Sequence, residues 1–164
     1  MQKANSLQGK RRNVVFPLIA LLVVAADQLS KAWIGSYPEE QPIFEMGFFR
    51  LIHIHNTGAA FGLFQSHSSA LSIVALVSVA ILLFYALFIY RRFPFLDNMP
   101  NRVALGLILG GTVGNLIERL HLGYVTDFIS IGIWPAFNVA DSAVTIGIII
   151  VACSLLSLAR TRKQ

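Results

Sequence analysis

A chain of 164 residues that is 55% apolar and only 13% charged carries about half the charge of an ordinary soluble domain. Its apolar residues come in blocks, which points to a membrane protein. The formal net charge of +5 sits at the edges of those blocks and not in a basic stripe interleaved with aromatics, so nucleic acid is not the expected partner.

A spanning helix needs about 20 mostly apolar residues, and inside lipid the backbone must satisfy its own polar groups. Four segments qualify, at about 14–34, 69–90, 103–120 and 139–158, in one integral membrane domain covering 1–164 with an outer segment at 35–68. Lys3, Lys10, Arg11 and Arg12 precede the first span. Arg91, Arg92 and Arg102 separate the second from the third, and Arg160, Arg162 and Lys163 follow the fourth. Ten of the thirteen basic residues thus fall on the side that holds both termini, and the positive-inside rule makes that side cytoplasmic. The acids lean the other way: only Asp97 falls in the cytoplasmic loop. The start of the chain also fits a signal peptide cut after Ala26, with a basic lead and an apolar core. Against that reading, apolar residues resume at Leu29, Ala32, Trp33 and Ile34. The lone Cys153 lies inside an apolar block, which leaves no intramolecular disulfide.

In the outer segment, "LIHIHN" alternates with period two, Ile52 and Ile54 opposite His53 and His55, and predicts a short strand. In "NTGAAFG", Gly58 and Gly62 permit a turn or close backbone approach. The loop "RRFPFLDNMPNR" reads as a plain connector.

Polar residues interrupt the spans only at their outer ends. Asp27 and Lys31 stand four apart on one helix face and can pair; alone, such a pair reads as a snorkelling marker of the interface. In the third span Gly106, Gly110 and Gly114 repeat every fourth residue as a packing face, and Gly111, Asn115 and Arg119 form the neighbouring row. The fourth span opens after Pro135 with "NVAD", where Asn138 is a helix N-cap and Asp141 lies in the first turn. By itself Asp141 could be no more than a capping carboxylate. His53 and His55 could hold a metal, but no cysteine or third histidine stands at ligand spacing, so no metal site is expected. There is no nucleophile elbow, phosphate loop or His-Glu metalloprotease motif.

Taken together, "DQLSK" at 27–31, "NTGAAFG" at 56–62, "GGTVGNLIER" at 110–119, "VTDF" at 125–128 and "FNVADS" at 137–142 resemble the ordered motif set of the lipoprotein signal peptidases, the type II signal peptidases of bacteria. "DQLSK" matches that family's first span, which disfavours the signal-peptide reading. The resemblance implies an all-α membrane protein of four transmembrane helices, with a small extracytoplasmic β platform between spans one and two that cradles the substrate. It implies a multi-pass protein of the bacterial cytoplasmic (inner) membrane with its active site near the extracytoplasmic face. It implies an intramembrane aspartyl endopeptidase that cuts diacylglyceryl-modified prolipoproteins just before the lipidated cysteine. Asp127 and Asp141 match the catalytic pair. Asn56, Gly58, Asn115, Arg119 and Asn138 match the motifs around the site, and Asp27 and Lys31 match a supporting motif. No cofactor or metal is implied. The expected partners are lipid-modified prolipoproteins and membrane lipid, with globomycin as inhibitor and a monomeric enzyme. Two departures stand out: Glu118 where aspartate is more usual, and a short segment between Asp127 and Asp141.

In such a site two carboxylates share one proton. The helix N-terminus favours Asp141 as the ionised member and leaves Asp127 as the initial proton donor. The alternatives are a small transporter or channel subunit and a non-catalytic scaffold. A transport path needs polar residues at all depths, whereas spans two and four are apolar across their inner halves.

Overall fold

The computed structural model describes residues 2–58, 68–89 and 98–161. In chain order the elements are α1 (Gln2–Ile34), β1 (Pro42–Met46), β2 (Phe49–Asn56), α2 (Ser68–Phe84), α3 (Met99–His121), β3 (Val125–Ile131) and α4 (Val139–Thr161). Helix α2 widens at its end into a π-helical turn, Tyr85–Ile89. Four helices are long and apolar enough to cross a membrane, as expected. Helix α1 begins well before the apolar block, at Gln2. The connector before the third span also ends early, because the Asn98 side chain accepts from the Asn101 N–H and caps α3. Gly62, Arg91, Arg92, Asp97, Arg162 and Lys163, on which the expected turn and charge bias partly rest, lie outside the described residues.

Helix α3 is the centre of the bundle. Half of its span is buried, whereas α1, α2 and α4 turn most of theirs outward. Leu21 and Leu22 on α1, Ile73 and Val77 on α2, and Ile148 and Ile149 on α4 are all exposed, as suits side chains solvated by lipid tails. The glycines let α3 approach its neighbours from two sides. Gly106, Gly110 and Gly114 face α1, at Ile19, at Ala20 with Val23, and at Asp27. Gly111, one step round the helix, abuts the Ala140 carbonyl on α4. Helix α3 ends at His121, and after the Leu122 cap Gly123 takes a φ of +81°, the left-handed geometry that follows helix ends.

The β platform is larger than expected. Strands β1 and β2 form a hairpin whose turn places Gly47 at φ +59°. Strand β3, from between α3 and α4, pairs antiparallel with β2 and completes a three-stranded sheet in the order β1-β2-β3. After Gly132 the chain folds back, and Phe137 exchanges backbone hydrogen bonds with Ile129. That return delivers Asn138 and the start of α4 beside β3.

The Asp27–Lys31 pair is not a snorkelling marker. Both side chains are buried, 2.8 Å apart. The ammonium also reaches Glu118 at 3.0 Å and the Asn115 Oδ1 at 2.8 Å, so its three protons each have an acceptor. Asp27 Oδ1 accepts from the Ala140 N–H at 3.0 Å, and its Oδ2 accepts from Gln28 at 3.1 Å. Glu118 accepts from the Thr126 N–H at 2.9 Å and the Thr126 hydroxyl at 2.7 Å. One ion cluster therefore joins α1, α3, the start of β3 and the N-terminus of α4.

A Cβ on Gly110 would lie 2.7 Å from the Ala20 carbonyl oxygen, and backbone cannot easily yield. Gly110→Ala is expected to cost about 1–3 kcal/mol, seen as a lower thermal midpoint in detergent. Lys31→Met strands two buried carboxylates and is expected to cost about 3–5 kcal/mol. Adding Glu118→Gln should recover part of that loss in a double-mutant unfolding cycle; strict additivity would contradict the ion cluster.

Candidate active site

Strand periodicity aims the first acid. On β3, Thr126 and Asp127 point to opposite faces: Thr126 is tethered to Glu118, and Asp127 lines a cavity of about 710 Å³. On β2, Ile54 stands opposite Asp127. Asn56, two residues along, shares its face, and the Asn56 Nδ2 donates to Asp127 Oδ2 at 2.7 Å. Asp127 Oδ1 accepts from Asn138 Nδ2 at 2.8 Å.

The second acid is set by a reciprocal helix cap. The Asp141 N–H donates to Asn138 Oδ1 at 2.9 Å, and the Asn138 N–H donates to Asp141 Oδ2 at 3.2 Å; this is the capping box with aspartate at its third position. Asp141 Oδ1 also accepts from Asn115 Nδ2 at 2.8 Å. Capping does not exhaust its role, since Asp141 lines the same cavity as Asp127.

Three amides set the polarity of the site, and each is oriented by an obligate donor on its oxygen. Asn115 Oδ1 accepts from the Lys31 ammonium, Asn56 Oδ1 from the Gly58 N–H at 2.9 Å, and Asn138 Oδ1 from the Asp141 N–H. Each amide must therefore present N–H to an aspartate. Asn138 also donates to Asn115 Oδ1 at 3.1 Å, which links the two acids through their supports.

The Asp127 carboxyl is pushed up to about 7, first by burial and then by the negative charge of Asp141, with the Asn56 and Asn138 amides opposing. Arg119 lines the cavity, its charge facing Asp141, Asp127 and Glu118. It donates to the Gly58 carbonyl at 3.3 Å, while its buried Nε has no hydrogen-bond partner. Beyond the acids the cavity wall is largely apolar, with Ala75, Val125, Trp134, Phe137, Val144 and Ile146.

The structure thus gathers Asn56, Asn115, Arg119, Asp127 and Asp141 at one cavity. Asn138 stands directly behind the two acids. Asp27 and Lys31 lie one layer deeper, and Gly58 orients Asn56 and receives Arg119. Thr126 carries a structural part that no motif signalled, because its tether shows only once "VTDF" is known to be a strand. Glu118 proves to be a buried anchor of that strand.

A sequence model of the signal peptidase (SPase) II family matches residues 19–157. A lipoprotein signal peptidase of Dehalococcoides mccartyi is 51% identical over 139 residues, covering 84% of this chain and 86% of that protein. One of Moorella thermoacetica is 46% identical over 143 residues, covering 86% and 92%. A bacterial membrane enzyme solved by the in meso method at 2.3 Å superposes with a TM-score of 0.77 at 30% identity, covering 85% of this chain and 86% of that one. With four helices able to cross a membrane and a family match over most of its length, the chain is a multi-pass membrane protein and belongs to the signal peptidase II family of peptidases.

Proposed function

We propose that the protein is an aspartyl endopeptidase that removes the signal peptide from diacylglyceryl-modified prolipoproteins, cutting before the lipidated cysteine. The observation that carries the aspartyl reading is the cavity shared by Asp127 and Asp141, with every neighbouring amide turned to donate. The relatives named above are lipoprotein signal peptidases, which supports prolipoproteins as substrates. The protein would lie in the bacterial inner membrane as a monomer, both termini cytoplasmic and the β platform outside. Globomycin would compete with substrate for the cavity.

In the proposed reaction a water is held between the two acids. Asp141, stabilised as an anion by the α4 N-terminus and the Asn115 amide, takes a proton from it as the oxygen attacks the scissile carbonyl. Asp127, protonated, donates toward the oxygen that gains charge. As the C–N bond breaks, Asp141 gives its proton to the departing amine and Asp127 takes one back from the tetrahedral diol, which restores both acids. Arg119, which lines the cavity, would hold a substrate carbonyl through its guanidinium. The apolar wall would receive the signal peptide, and the acyl chains would remain in lipid. A transporter reading is weaker, because the inner halves of the spans in α2 and α4 hold no charged residue, the Arg160 of α4 lying beyond the end of its span at Ser157.

Asp127→Asn and Asp141→Asn should each reduce cleavage of a purified diacylglyceryl precursor by at least about a hundredfold, with helix content and detergent melting near those of the parent. Retained cleavage in either variant would remove that residue from the reaction. Since Asp127 acts as an acid and is pushed up to about 7, kcat/KM should fall as pH rises through about 7. The native state also keeps that proton between the ordinary 3.8 and about 7, where the unfolded chain has lost it, so stability should decline across the same window. An alkaline limb that is absent near neutrality in a full pH–rate profile would contradict the assignment.

A further inference from the structure

Away from the cavity, the sheet carries a cluster that peptide cleavage does not use. Period two on β2 puts His53 and His55 on one face, and the His55 ring stacks on Tyr124 with centroids 3.8 Å apart. His53 Nδ1 lies 2.9 Å from the Tyr37 carbonyl oxygen, and His55 Nδ1 lies 3.3 Å from Glu39 Oε2. A carbonyl and a carboxylate only accept, so each Nδ1 carries the hydrogen. A neutral imidazole has one N–H, which leaves both Nε2 atoms as bare lone pairs. Yet those two atoms stand 3.1 Å apart. Lone pairs repel at that separation, so a positive particle belongs between them, either a proton or a metal ion.

The surroundings favour a metal. Two imidazoles bound to one tetrahedral zinc at about 2.0–2.1 Å hold their nitrogens roughly 3.3 Å apart, close to the separation here. The outer contacts, Nδ1–H to a backbone carbonyl and Nδ1–H to a carboxylate, are those that orient metal-bound histidines and raise their basicity. His53 is buried, whereas the Glu39 side chain is more than half exposed, so the site opens to solvent on the Glu39 side. We propose that His53 and His55 form a two-nitrogen site for a divalent transition metal such as zinc, with the Tyr37 carbonyl and Glu39 fixing the rings and water completing the shell. Among the described residues no cluster of three metal-ligating side chains is present, so the site binds more weakly than a closed structural zinc centre. The period-two spacing singles out this pair but lacks a third ligand; the added signal is that the two Nε2 atoms face each other.

The test is titration of the chelator-treated, full-length protein in detergent with zinc, followed by calorimetry and by ¹⁵N NMR of the imidazoles. One equivalent should bind at micromolar zinc, with the Nε2 resonances of both rings shifting together. His55→Ala and His53→Ala should each abolish it, and His121→Ala should leave it intact. Glu39→Gln, at an exposed position that does not threaten folding, should weaken binding by about tenfold to a hundredfold. A shared proton only, seen as a protonated ring pair that ignores zinc, would overturn the proposal, as would zinc binding that survives His55→Ala.

Discussion

A single buried ammonium holds the architecture together. Lys31 places its three protons on Asp27, Glu118 and Asn115, in a setting where an unpaired charge would be prohibitively costly. Two of these acceptors hold the first turn of α4 and the third holds the start of β3. Asp27 receives the first turn of α4 through the Ala140 N–H. Glu118 receives the start of β3 through Thr126. Asn115 reaches Asp141. The cation thus compels three chain segments to converge, and the two cavity acids are delivered by two of them.

Convergence alone would not define the protonation chemistry; amide orientation does. An asparagine between two carboxylates could face either way, but here each oxygen is committed to a group that can only donate. The N–H ends are left for Asp127 and Asp141. Such donors favour the charged form, while burial and mutual repulsion oppose it, and at Asp127 the opposition wins. Arg119 adds positive potential across the cavity without a direct ion pair to either acid among the bonds described.

Much of this was legible in the sequence. Block hydropathy gave the four spans, the every-fourth glycines marked the packing face of α3, and the "NVAD" cap gave the start of α4. The sheet was only half legible. "LIHIHN" alternates openly, but "VTDFISI" is buried on both faces apart from half-buried Ile129 and exposed Ile131, so the period-two signal vanishes there. Glu118 looked like a departure from a motif because its partners, Lys31 and Thr126, lie on other elements. Its longer arm reaches both the cation and the strand, which no local pattern encodes. The first span falls at Val14–Ile34 as expected, while the helix that holds it continues back through polar sequence to Gln2.

The glycine seats on α3 also have a mechanical meaning. Ala20 and Val23 on α1 and Ala140 and Val144 on α4 press against two neighbouring flanks of one helical turn, at Gly110 and Gly111. At these seats α3 offers only backbone, so little side-chain cushion is left to absorb relative sliding. When bilayer thickness changes, α1, α3 and α4 must lean as one rigid block, while α2, whose span is the least buried of the four, is the helix left free to adjust its own inclination.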